Sequence, residues 1–114
     1  MASKSHYDRE KSRVKDDKLA QFVLDDLEED ITTVPGVGPK TADQLKAAGV
    51  ETSFQLIAKF LSFRKEGATE KDVCEDTYQF LAGLGIGAFR SGITTCLLEK
   101  CKTLFPGLFE EDDE

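Results

Sequence analysis

Apolar residues recur along this chain at three- and four-residue steps, the period of a helix that buries one face. Leu19, Phe22, Val23 and Leu27 follow that step and predict a first helix over about 16–29, closed by Glu28-Glu29-Asp30 and the β-branched run Ile31-Thr32-Thr33-Val34. A second helix has clear limits: Pro39 suits the first turn, Ala42, Leu45 and Ala48 define an inner face, and Gly49 suits a left-handed stop. Thr52 and Gln55 stand at capping-box spacing and open a third helix. Its Phe54, Leu56, Ile57, Phe60, Leu61 and Phe63 are apolar on most sides, which marks it as the central core helix. Gly67-Ala68-Thr69 forms the next break and cap, followed by Val73, Thr77, Phe80, Leu81 and Leu84. A last helix from about Ala88 carries Phe89, Ile93, Cys96, Leu97, Cys101 and Leu104, with Pro106-Gly107 beyond its end. No strand has comparable support, so the expected fold is all-α, a compact five-helix domain.

Length and charge set the limits of that unit. With 114 residues the chain suffices for one small core. No apolar run approaches the ~20 residues needed to cross a bilayer, and the start of the chain has neither an apolar signal segment nor a glycine after Met1 for myristoylation. The expected location is intracellular, nuclear or cytoplasmic, without a membrane. The net charge of −7 is unevenly spread: six basic and nine acidic groups fall in residues 1–30, nine and eight in 31–108, and five acids in 109–114. Residues 1–15 read as a disordered polar leader, 16–108 as the folded domain, and 109–114 as a self-repelling acidic tail.

Composition also narrows the chemistry. Cys74, Cys96 and Cys101 are an odd number, and they read as buried reduced thiols. Cys96 and Cys101, five positions apart on a helix, are separated by roughly 140° of arc and cannot easily grip one metal. His6 is the only histidine and sits in the polar leader, so the usual nucleophile-base pair has no partner. No enzyme activity, metal or cofactor is expected.

The segment from Thr33 to Gly49 is the informative one. Gly36 and Gly38 flank Val37 in a turn that leads directly into a helix, so the backbone turns tightly and exposes N–H groups where another molecule can approach. The positive end of the helix adds to that field, and Lys40 and Thr41 stand at its first turn, suited to a phosphate. Pro35, Ala42, Leu45 and Gly49 complete the pattern of the helix-hairpin-helix module, which in its families binds the DNA backbone without reading sequence. Gly85-Ile86-Gly87 repeats the turn, with Arg90 and Ser91 in the first turn of the helix that follows. Two readings of this second, degenerate copy stand: a further phosphate site, or glycines that let two helices pack closely.

From Ile31 to Arg64 and from Phe80 to Phe105 the chain resembles the barrier-to-autointegration factor family. Val34, Gly36, Gly38, Leu45, Gly49 and Phe60-Leu61 keep that family's spacing, and Cys96-Leu97, Glu99 and Cys101 match its Cys-Leu-x-Glu-x-Cys. The resemblance implies a symmetric homodimer that holds two DNA duplexes, with chromatin or nuclear-envelope proteins as further partners. A lysine pair in the family's second helix corresponds here to Asp43-Gln44, leaving Lys40 and Lys46 as nearby cations. The lysine of its second motif falls at Ala88, so Arg90 has to substitute. The expected function is sequence-independent binding of double-stranded DNA, bridging or compacting it, through Gly36, Val37, Gly38, Lys40, Thr41 and Lys46, and secondarily Gly85, Gly87, Arg90 and Ser91. The alternative is a dimeric protein-interaction scaffold with little DNA affinity, which suits the acidic charge. The acidic tail is expected to act as a brake, so that removing 109–114 tightens DNA binding at low salt.

Overall fold

The computed structural model describes residues 5–109, and its regular elements are helices. They are α1 (Asp16–Leu24), α2 (Pro39–Ala47), α3 (Ser53–Ser62), α4 (Glu70–Gly83) and α5 (Arg90–Leu104), with 3-10 turns at Arg9–Lys11 and Ile31–Thr33. The all-α, five-helix expectation holds. Residues 1–4 of the leader and 110–114 of the acidic tail lie outside the described part.

Local sequence explains most boundaries. Pro39 occupies the first position of α2, and Gly49, at φ +88°, ends it as Val50 N reaches back to Leu45 O at 2.9 Å and Gly49 N to Lys46 O at 2.9 Å. Capping boxes open α3 and α4. The Thr52 hydroxyl accepts from Gln55 N at 3.1 Å, and the Thr69 hydroxyl from Asp72 N at 3.1 Å, while the Gln55 and Asp72 side chains accept from the cap amides.

Two expectations are corrected. The first helix stops at Leu24, because the chain turns extended at Asp25 and residues Glu28–Asp30 leave to meet the start of α3: Ser53 N donates to Glu29 O at 3.0 Å, and Asp30 pairs antiparallel with Thr52. The end of α1 is instead capped from a distance. The buried Lys100 of α5 donates from Nζ to the carbonyls of Phe22 (3.0 Å), Val23 (3.1 Å) and Asp25. The central helix is α5 and not α3. Ser91 to Leu98, Lys100 and Cys101 are all buried, whereas Phe54 of α3 is 51% exposed. The polar members of α5 are tolerated because they are paired: Thr94 Oγ1 donates to Arg90 O and Thr95 Oγ1 to Ser91 O, each at 2.8 Å.

The described part of the leader, residues 5–15, lies across α5. Tyr7 OH meets Thr95 Oγ1 at 2.7 Å, Tyr7 N donates to Glu75 Oε1 at 3.1 Å, Asp8 N to Ser91 Oγ at 3.0 Å, and Arg9 pairs with Glu99 at 2.9 Å. The closest approach is at Gly92, where an added Cβ would sit 2.3 Å from Ser12 O. Glycine there is what lets the leader's backbone reach the helix.

Candidate nucleic-acid interface

The first hairpin is a four-residue turn. Val37 N donates to Val34 O at 3.0 Å across Pro35 and Gly36, and Gly36 takes φ +94°, a value glycine adopts without strain. Val37 points into the core, and Gly38 is exposed as the N-cap of α2. Pro39 has no N–H, and the first intrahelical bond is Ala42 N to Gly38 O at 2.8 Å. The amides of Lys40 and Thr41 therefore point out of the first turn with the exposed Lys40 side chain, in the field of the helix dipole.

The second hairpin repeats the pattern. Gly85 takes φ +85°, Ile86 is buried and Gly87 is exposed. Ile86 N donates to Leu81 O at 3.3 Å and Gly85 N to Ala82 O at 3.0 Å, so this turn doubles as the stop of α4. It then departs from the first copy: Ala88 and Phe89 intervene before α5, and Phe89 is its N-cap at φ +68°.

The two hairpins are neighbours. A Cβ on Gly36 would stand 2.9 Å from Ile93 Cγ1 and 3.1 Å from Phe89 Cβ, so the first hairpin packs on the first turn of α5. Gln44 of α2 reaches the second, with Nε2 3.4 Å from Leu84 O.

The side chains expected at these turns separate. Lys40 and Thr41 stay at the first hairpin, while Lys46 lies in the last turn of α2, about 10 Å along the helix from Pro39. Arg90 turns inward. It donates from Nη1 to Ile86 O at 2.9 Å and from Nη2 to Tyr78 OH at 3.0 Å, with its guanidinium 5.0 Å over the Tyr78 ring, clamping the second hairpin to α4. Ser91 is buried beneath Asp8 of the leader.

Other cations come to the first hairpin instead. Arg13, Lys15 and Lys18 form one wall of a groove of about 600 Å³ whose other wall is Val34–Gly38, and no acidic side chain lines it. Arg13 and Lys15 are not among the residues expected at this site, because they fall in the polar leader. The available signal was the basic spacing of Arg13, Lys15 and Lys18 at the entry to α1, masked by Asp16 and Asp17.

Two glycine hairpins, each leading into a helix and packed side by side, define a helix-hairpin-helix domain. The family of barrier to autointegration factor matches residues 13–104, and the chain belongs to it. That family is one of non-enzymatic DNA-binding proteins, and membership supports a DNA-binding, chromatin-associated function in general. No curated protein and no solved structure matches the chain significantly. Among the described residues no helix is long and apolar enough to cross a membrane.

Proposed function

We propose that this protein binds double-stranded DNA without sequence preference, through phosphates at the Gly36-Val37-Gly38 hairpin, and bridges or compacts DNA as a homodimer. The observation that carries the reading is the groove in which that hairpin faces Arg13, Lys15 and Lys18, because it gives an acidic chain a local surface of one positive sign. Gly38 and the first turn of α2 offer backbone donors and Lys40 a charge. Such contacts position a duplex and carry no base information. Gly85 and Gly87 belong to the site as an exposed turn, with Arg90 and Ser91 supporting its shape. Leu104 and Phe105, 42% and 44% exposed at the far end of α5, supply an apolar surface for the second protomer that leaves both hairpins free.

The test is a titration of short and long duplex DNA at low and physiological salt, with mass read by light scattering. The expected result is a dimer whose affinity falls with salt, long DNA being bridged where a short duplex binds weakly. A dimer with no affinity at either salt would identify a protein-interaction scaffold instead.

A further inference from the structure

Residues 5–12 lie outside the family match yet are held by three polar contacts to α5 and one to Glu75 of α4, and they deliver Arg13 to an unusual place. Arg13 (φ +64°) and Phe89 (φ +68°) are the non-glycine residues among those described that take a left-handed backbone. They touch each other, the Arg13 guanidinium lying 5.2 Å over the Phe89 ring. Conformations of this kind persist only where surrounding contacts impose them, and they gather at functional sites.

The position of the pair gives the strain a purpose. Arg13 and Phe89 line the 600 Å³ groove of the first hairpin, and both also line a recess of about 240 Å³ at the second hairpin, with Gly87 and Lys11. Arg13 thus stands on the wall between the two turns, exposed, while Arg90 is spent on Ile86 and Tyr78. We propose, on the DNA-binding reading above, that Arg13 is the cation joining both hairpins into one phosphate track, and that residues 5–12 are the strap that holds it there. Its planar guanidinium keeps its donor edge free for a phosphodiester while its face rests on Phe89.

Two variants separate charge from placement. Arg13→Gln removes the cation from an exposed side chain. Gly92→Ala keeps the charge but puts a Cβ 2.3 Å from the Ser12 carbonyl, so the strap has to shift and Arg13 with it. Affinity for a short duplex is measured across salt, with Lys71→Gln, an exposed lysine of α4, as the charge control and circular dichroism as the check on folding. The expected result for Arg13→Gln is about a tenfold loss at low salt and a salt slope reduced by about one per protomer. Gly92→Ala reproduces the loss, and Lys71→Gln does not. Binding that Gly38→Glu abolishes but that responds alike to Arg13→Gln and Lys71→Gln overturns the role of Arg13 alone. A wild-type protein that binds no duplex overturns the DNA-binding reading together with it.

Discussion

At the scale of single residues, the two glycines of the first hairpin are not equivalent, although the sequence presents them as a matched pair. Gly38 has φ −96° and open space where a Cβ would go, so Gly38→Glu is expected to keep wild-type stability within about 1 kcal/mol while setting a carboxylate against the phosphate. Gly36 at φ +94° would drive a Cβ into Ile93 and Phe89. Even Gly36→Ala should therefore cost about 1–3 kcal/mol, read as a lower urea midpoint. Loss of DNA binding is informative about the site only in the Gly38 variant. The three cysteines allow a similar separation of surface from core. Burial pushes the thiols of Cys74, Cys96 and Cys101 up to about 12, so little thiolate exists near neutrality. In the native protein at pH 8 all three should resist a disulfide reagent and become reactive together as the domain unfolds. One thiol reacting rapidly in folded protein would place it at the surface and contradict the packing around α5.

At the scale of elements, what was legible in the sequence is what a few neighbouring residues decide. The glycine-apolar-glycine turns, the proline start of α2 and both capping boxes satisfy backbone groups within five positions, so their spacing alone predicts them. The strap was illegible because Tyr7, Asp8 and Arg9 find partners 68 to 90 positions away, and a polar segment without local periodicity looks solvated. The centrality of α5 was hidden by Ser91, Thr94, Thr95 and Lys100, whose polarity contradicts a buried helix until their partners are known. Lys100 makes that dependence measurable. Lys100→Met removes the donor from three carbonyls at the end of α1, which should cost about 2–3 kcal/mol and loosen amide exchange in α1 before other helices. Unchanged exchange in α1 would show that its end is held otherwise. Acid acts on other elements. The Thr69 amide and hydroxyl hold the Asp72 carboxyl below its ordinary range. For Glu75, burial pushes upward, but hydrogen bonds from Gln79, His6 and Tyr7 N outweigh it and the carboxyl is again lowered. A group whose folded value is depressed contributes stability above its unfolded value and loses it as pH falls through the folded one. The α4 cap and the strap should therefore weaken together below about pH 4, seen as faster exchange at the amides of Thr69 and Tyr7.

At the scale of the whole molecule, α5 works as a ruler. Both hairpins gather at its N-terminal end, where Gly36 faces Ile93 and Phe89, while Lys102 at its other end meets Glu70 at 3.3 Å. Beyond that end the chain is pinned: Arg64 Nε donates to Leu108 O at 2.9 Å, and Phe109 packs edge-on against Phe60 with ring centroids 6.5 Å apart. The root of the acidic tail is thus separated from the hairpins by the length of α5, about 21 Å. Residues 110–114 span at most about 17 Å, and charge is screened over about 8 Å at physiological salt. Only a fully extended tail brings its last charges within a screening length of the protomer's own hairpins, so the brake that the charge pattern alone suggests is expected to be weak at physiological salt. Phe109 also belongs to the packed domain, so the truncation that isolates the tail removes 110–114 and spares it. Deleting those five acids should leave duplex affinity within about twofold at physiological salt, although net charge falls from −7 to −2. Phe109, the root of the tail, lies at the same end of α5 as Leu104 and Phe105, so on the dimer proposed above the like charges of two tails are expected to oppose association. The truncation should therefore act on mass rather than on DNA, strengthening the dimer at low salt in sedimentation experiments. A several-fold gain in DNA affinity at physiological salt with the dimer unchanged would show that the tail does reach the hairpins.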